Sequence, residues 1–174
     1  MNPSGFLARL EERDREMFLR WVAVDSGALE RTLWRAVTLL GGATLTIGLS
    51  LGATFAGKGA LHNAGVQAAI TLALTHVVAQ LLKRTISRPR PSGMSFEALV
   101  SAPDRFSFPS GHAIAASSIA FVFSWNFPAL APALLILATL VAVSRVRLGV
   151  HYPGDVLAGQ VIALVGAMGV LALR

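Results

Sequence analysis

The stretch from Ala36 to Leu82 reads AVTLLGGATLTIGLSLGATFAG (36–57), then Lys58, then GALHNAGVQAAITLALTHVVAQLL (59–82), and Lys58 is the only Lys, Arg, Asp or Glu in it. As α-helix, each uncharged run is long enough to cross a hydrocarbon core of about 30 Å, which takes roughly 20 residues. A helix satisfies its own backbone hydrogen bonds, so lipid accepts it where it would reject an irregular chain. The reading is a helical hairpin that crosses a membrane twice, with its turn at Lys58.

The same test extends to the rest of the chain. Between Phe106 and Ser144 the only ionisable side chain is His112. That stretch is too long for one span, and Asn126, Phe127 and Pro128 supply the break, which predicts helices over 111–125 and 129–148. The first of these is short, so it is expected inside the bundle. Residues 156–173 form a fifth apolar run whose small residues, Gly159, Ala163, Gly166, Ala167 and Gly169, suit close helix packing in lipid. The predicted fold is all-α, a polytopic membrane helix bundle of about five transmembrane helices.

Composition agrees. Of 174 residues 54% are hydrophobic and 14% charged, with a mean hydropathy of +0.63; a soluble domain carries roughly 25% charged residues. Cysteine is absent, which excludes disulfides, thiolate metal sites and cysteine nucleophiles.

The first 35 residues differ. Leu7, Leu10, Met17, Trp21 and Val24 recur at helical spacing, while Glu11 with Arg15 and Glu16 with Arg20 form i,i+4 pairs. This predicts an amphipathic helix lying at the membrane interface, in a segment 1–35 set apart from a membrane-embedded domain 36–174. It has no basic start, apolar core or small-residue cleavage site of a signal peptide, so it is expected to stay with the mature chain.

Six of the nine acids lie in the first thirty residues, whereas seven basic residues fall between Lys83 and Arg147. Such a patch suits nucleic acid, an anionic membrane surface or a small anionic substrate; the hydropathy weighs against nucleic acid. Three polar clusters carry it: KRTISRPRP (83–91), PSGH (109–112) and SRVRLGVHYPGD (144–155). With five spans, all three fall on one face of the membrane, because two further crossings return the chain to the side it left.

Each cluster has an ordinary explanation. Lys83, Arg84, Arg88 and Arg90 can snorkel to headgroups, Ser110 can serve as a helix N-cap, and Pro153 with Gly154 can turn the chain into the last helix. Those explanations give no reason for two histidines, an aspartate and several guanidinium groups to converge at one membrane edge. As chemistry, the set is a phosphate site. Lys and Arg match phosphate oxygens in charge and geometry, and the amides of Gly111 and His112 would stand at a helix N-terminus, where anions bind. His151 and Asp155, four apart, allow the carboxylate to hold one ring nitrogen and leave the other free to attack. His112 is a second imidazole, available for proton transfer. No cluster of carboxylates suits magnesium, so neither a metal nor another cofactor is expected.

Together the clusters resemble the signature of the type 2 phosphatidic acid phosphatase family: K-x6-R-P at Lys83, Arg90 and Pro91; P-S-G-H at Pro109 to His112; S-R-x5-H-x3-D at Ser144, Arg145, His151 and Asp155. The resemblance covers about residues 36–174. It implies an integral membrane phosphatase that removes phosphate from lipids without a metal, with His151 as nucleophile, Asp155 as its orienting partner and His112 as general acid. Lys83, Arg90, Arg145, Ser110 and the Gly111 amide would hold the phosphate. Membrane members of the family commonly have six spans, and here the amphipathic segment stands in place of the first. The family usually exposes its site on the extracytoplasmic side, whereas a count of loop Lys and Arg points the other way; catalytic cations contaminate that count, so the extracytoplasmic side of a cell membrane is expected.

The implied substrate is a polyprenyl diphosphate, a phosphatidate, a phosphatidylglycerophosphate-like lipid or a prenyl-phosphosugar phosphate. Two other classes fit parts of the pattern. A non-catalytic binder of anionic headgroups would use the cations but not the histidines, and a haloperoxidase-like use of bound vanadate would draw on the same site.

Overall fold

The computed structural model describes residues 3–23, 26–91, 98–102 and 104–173. Seven α-helices follow in order: α1 (Pro3–Trp21), α2 (Ala28–Leu39), α3 (Ala43–Ala56), α4 (Ala60–Ile86), α5 (Gly111–Asn126), α6 (Ala131–Arg147) and α7 (Pro153–Ala172), with a 3₁₀ turn at Pro128–Leu130 before α6. Of the predicted amphipathic and loop positions, Val24, Ser92, Gly93, Glu97 and Pro103 lie outside the described residues, as does the side chain of Leu7.

Among the described residues, four stretches are long and apolar enough to span a bilayer: Ala28–Ala56, Ala60–Ile86, Pro128–Arg147 and Pro153–Ala172. The fifth crossing is α5, whose 16 residues would extend only about 24 Å. It fits because it touches little lipid. Ala113, Ile114, Ala116, Ser117, Ser118, Ile119, Ala120 and Val122 are all buried, and α3, α4, α6 and α7 pack around it. The outer helices expose Phe55, Leu74, Val77, Leu81, Ile136, Val161, Val165 and Met168, an apolar exterior that lipid covers and water would not.

The first span begins earlier than the uncharged run implies. Helix α2 starts at Ala28, and its charged first turns are paired: Trp34 donates to Glu30 across 3.1 Å, Arg147 pairs with Glu30, and Arg35 donates to the Leu99 carbonyl. Charge marks where apolar sequence begins, not where a helix does. Between α2 and α3 the helix breaks at Leu40–Gly42. A Cβ on Gly41 would stand 2.5 Å from Val141 and 2.9 Å from the His112 carbonyl oxygen, so only glycine lets the break press against α5 and α6.

Small residues bring the last helix in. A Cβ on Gly159 would lie 3.0 Å from the Ser110 carbonyl and one on Gly166 2.5 Å from Thr75, while Ala163 and Ala167 are buried. Gly169 meets nothing and faces outward. Helix α1 is present, but Leu10, Met17 and Trp21 are exposed and its docked edge carries Asp14 and Phe18 instead. Phe18 is buried with Ala113, Ala142, Val146, Tyr152 and Val156, which seats α1 on the end of the bundle where α4 ends and α5 and α7 begin.

Candidate active site

Four helix ends and one loop build the site. Helix α4 stops at Ser87, whose positive φ of 50° and N–H bond to the Lys83 carbonyl turn the chain away; Pro89 and Pro91 keep it from helix. Pro89 then pairs with Phe106 in an isolated antiparallel bridge, and Ser107 donates its amide to the Arg88 carbonyl across 2.8 Å. The returning loop is thereby laid over the bundle end.

Lys83, on the last turn of α4, is buried and donates to Asp104 Oδ1 and the Phe106 carbonyl, each at 3.2 Å. Arg90 spreads its whole guanidinium: Nε to the Asp104 carbonyl, Nη2 to Asp104 Oδ1, Nη1 to the Val150 carbonyl, each at 2.8 Å, and Nη1 also to His151 Nε2 at 3.1 Å. Asp104 therefore holds both cations. Its burial acts to raise its pKa, but the hydrogen bonds and charges of Arg90 and Lys83 outweigh that and keep the carboxyl below its usual range.

Ser110 occupies the N-cap of α5, yet its Oγ makes no cap bond and is buried without a partner. The hydroxyl is free for a ligand, next to the unpaired first-turn amides of Gly111 and His112. The Ser110 amide itself donates to the Asp155 carbonyl across 3.1 Å, which joins the start of α5 to the start of α7. His112 is half-buried on the first turn of α5, within electrostatic reach of Arg145, His151 and Arg90. Arg145, buried at the end of α6, donates Nη1 to Thr38 Oγ1 across 2.7 Å, and its Nε has no partner.

His151 sits in the α6–α7 turn, 2% exposed. The turn hooks back because the amides of Val150 and His151 both donate to the Arg145 carbonyl, and Gly149, with φ of 79°, takes the left-handed conformation this requires. Asp155, fully buried, accepts the Tyr152 amide on Oδ2 at 2.9 Å and Arg88 Nη1 on Oδ1 at 2.8 Å. Its Oδ2 lies 3.5 Å from His151 Nδ1, longer than a good hydrogen bond, but Nδ1 has no competing partner. Arg90 can only donate, so Nε2 carries the lone pair and Nδ1 the proton that faces Asp155. Burial, helped by Arg145 and Arg90 and opposed by Asp155, pushes the His151 pKa down to about 4. At neutral pH the ring is an uncharged base whose Nε2 lone pair faces Arg90.

All eight sequence-predicted residues are thus at one end of the bundle. Lys58 and Pro128 mark the opposite ends of α4 and α5. Three residues were not anticipated: Asp104, Arg88 and Asp14. A signal existed for Asp104, since only three acids follow residue 36 and two of them, Glu97 and Asp104, stand between Arg90 and Arg105 in the basic stretch.

Residues 64–174 match the PAP2 superfamily, a region that contains all three clusters. The chain belongs to the PAP2 superfamily. Among curated members it is 44% identical over 86 residues to a decaprenylphosphoryl-5-phosphoribose phosphatase of Mycolicibacterium smegmatis, covering 49% of this chain and 47% of that one. A lipid A 1-phosphatase of Rhizobium johnstonii is 38% identical over 95 residues, 51% of this chain and 39% of that one. The chain spans about half the length, or less, of these curated relatives. Among solved PAP2 structures, the transmembrane phosphatidylglycerolphosphate phosphatase of Bacillus subtilis superposes with a TM-score of 0.77 at 26% identity over 95% of this chain and 86% of that one. Aquifex aeolicus LpxE gives 0.78 at 25% over 90% and 93%. PAP2 membrane proteins thus share its whole helical arrangement, not only the site segment.

Proposed function

We propose that this PAP2 protein is a metal-independent lipid phosphatase of the cell membrane that works through a phosphohistidine intermediate. The observation that carries it is the buried His151–Asp155 pair, with Nε2 bonded to Arg90, Arg145 within electrostatic reach and Lys83 joined to Arg90 through Asp104. In the first step His151 Nε2 attacks phosphorus in line, an N–P bond forms and the P–O bond to the lipid breaks. His112, which takes up a proton as the anionic phosphate binds beside it, protonates the leaving oxygen, and Asp155 balances the charge that develops on the His151 ring. The three cations, the Ser110 hydroxyl and the Gly111 amide stabilise the equatorial oxygens. In the second step water attacks the phosphohistidine with its proton passing to His112, which releases inorganic phosphate and restores both histidines.

Two features favour a lipid over a soluble ester. The site lies at the end of a membrane bundle, and an open apolar groove of about 790 Å³ runs along α3 from Leu39 and Gly42 to Ala56 and Leu61. Its near end, at Leu39 and Gly42, adjoins Gly41, whose Cβ position lies 3.3 Å from His112 Cβ, and a hydrocarbon tail lying there is proposed to bring its headgroup toward the site. The names of the relatives put polyprenyl-linked phosphates and lipid A first in a substrate panel, with phosphatidate and phosphatidylglycerophosphate next. The site is proposed to open on the extracytoplasmic face. Phosphate release from such a panel by purified protein in detergent tests the reading, and a wild type that binds these lipids without hydrolysing any would leave a headgroup-binding protein in its place.

A further inference from the structure

The catalytic pair proposed above is held from outside the region that matches the family. Asp14, in the middle of α1, reaches the end of the bundle with both carboxylate oxygens. Oδ1 accepts the Gly154 amide at 2.7 Å, and Oδ2 accepts Arg88 Nη1 at 2.8 Å. The same Arg88 nitrogen donates to Asp155 Oδ1 at 2.8 Å, so one amino group spends its two hydrogens on two carboxylates. The Arg88 guanidinium lies 4.1 Å over the Tyr152 ring, and Phe18, one turn after Asp14, packs edge-on to that ring at 5.4 Å. The side chains of Asp14 and Arg88 are each 15% exposed and Asp155 is sealed, so water screens this chain of charges little. A Cβ on Gly154 would lie 2.8 Å from Asp14 Oδ2, so glycine is what admits the carboxylate.

From this geometry we infer that Asp14 and Arg88 are positioning residues for the reaction, with α1 a brace that fixes how Asp155 serves His151; the inference rests on the His151–Asp155 reading. Arg88 on Oδ1 stops the Asp155 carboxylate from rotating and leaves Oδ2 for the His151 ring. A lone Arg88 would neutralise Asp155 and weaken its hold on the imidazolium that forms as phosphorus is attacked. Asp14 shares that positive charge, so the triad Asp14–Arg88–Asp155 keeps a net charge of −1 and Asp155 stays anionic toward the ring. Asp14 also pins the Gly154 amide, and with it the turn from Tyr152 to Asp155. A simple staple between α1 and the bundle would need neither the shared nitrogen nor the carboxylate.

The test uses the full chain in detergent, with dioctanoyl phosphatidate and a short polyprenyl diphosphate as substrates and rates taken per folded molecule. Asp14→Asn keeps shape and an acceptor for Gly154 but loses the charge on Arg88. It is expected to lower kcat roughly 10- to 100-fold, the cost of a misplaced reacting group, with KM within about twofold. Asp14→Glu should recover part of the loss, and Asp14→Asn with Arg88→Gln should be no slower than Arg88→Gln alone. Glu12→Gln, on the exposed side of α1, should match wild type. The downfield proton resonance of His151 Nδ1–H, assigned by its loss in His151→Ala, should move upfield in Asp14→Asn whether or not either substrate is turned over. Wild-type kcat in Asp14→Asn, a change in KM alone, losses that multiply in the double variant, or an unmoved resonance would each overturn the inference. Wild-type turnover in His151→Ala would instead remove the phosphatase mechanism itself.

Discussion

Arg90 Nη1 donates to His151 Nε2 across 3.1 Å, so the nitrogen proposed as nucleophile is already bonded to a cation proposed to hold the phosphate. The contact fixes the ring tautomer, marks where a phosphate oxygen would draw the guanidinium, and leaves Nε2 free once it does. Asp104 holds Lys83 and the other face of Arg90 in readiness. In the proposed mechanism these positive side chains balance the phosphate charge in place of a metal.

That balance predicts persistence of activity in EDTA and inhibition by vanadate, which mimics phosphate in a trigonal bipyramid. Steady-state rates of the purified protein before and after chelation check it. An absolute requirement for added magnesium or zinc would overturn the clamp formed by Lys83, Arg90 and Arg145.

The two histidines should separate by leaving group. His151→Ala should lose activity on every substrate, because it removes the proposed nucleophile bonded to Arg90. His112→Ala should lose roughly 10²- to 10⁴-fold on a lipid phosphomonoester, whose alkoxide needs a proton, and much less on an aryl phosphate, whose phenoxide does not. A rapid-quench burst on the aryl ester would show the second step becoming limiting. The reverse pattern would exchange the roles.

His151 should stay neutral in acid that protonates an ordinary histidine. Its pKa, lowered to about 4 chiefly by burial, predicts that the ring signal followed by NMR titrates near pH 4 instead of 6.5. The sign for stability follows. The unfolded chain takes up a proton near pH 6.5 that the fold refuses, so this residue's contribution is whole above about pH 6.5 and is lost as pH falls toward 4. Titration at an ordinary pKa would mean that water reaches the ring.

Membrane sidedness can be read by labelling, since the native chain has no cysteine. Lys58→Cys and Ser101→Cys, both exposed, should react with an impermeant maleimide from opposite sides, and Glu12→Cys should side with Ser101→Cys. In intact cells Ser101→Cys is the one expected to label. Reaction of positions 58 and 101 from the same side would refute the five-crossing arrangement.

By itself the sequence determined the helical class, the crossings and which polar residues meet at one end of the bundle. Uncharged runs longer than a bilayer is thick leave little alternative to membrane helices, and crossing parity brings Lys83, His112 and His151 to one side without any knowledge of packing. What it left open depends on contacts between segments far apart in the chain. The break at Leu40–Gly42 lies inside an unbroken apolar run, and its position is decided by Gly41 meeting Val141 and His112. The edge by which α1 docks was not legible, because spacing shows a helix's apolar arc but not which part of it a neighbour will cover. Asp14 lies within that arc, beside Leu10, Met17 and Trp21, and a charge there is the one local hint of a buried partner. Arg88 looks like a snorkelling cation until the fold brings it between Asp14 and Asp155. A buried charge is tolerated only where opposite charges from other segments meet it, so roles of this kind emerge only when those segments pack together.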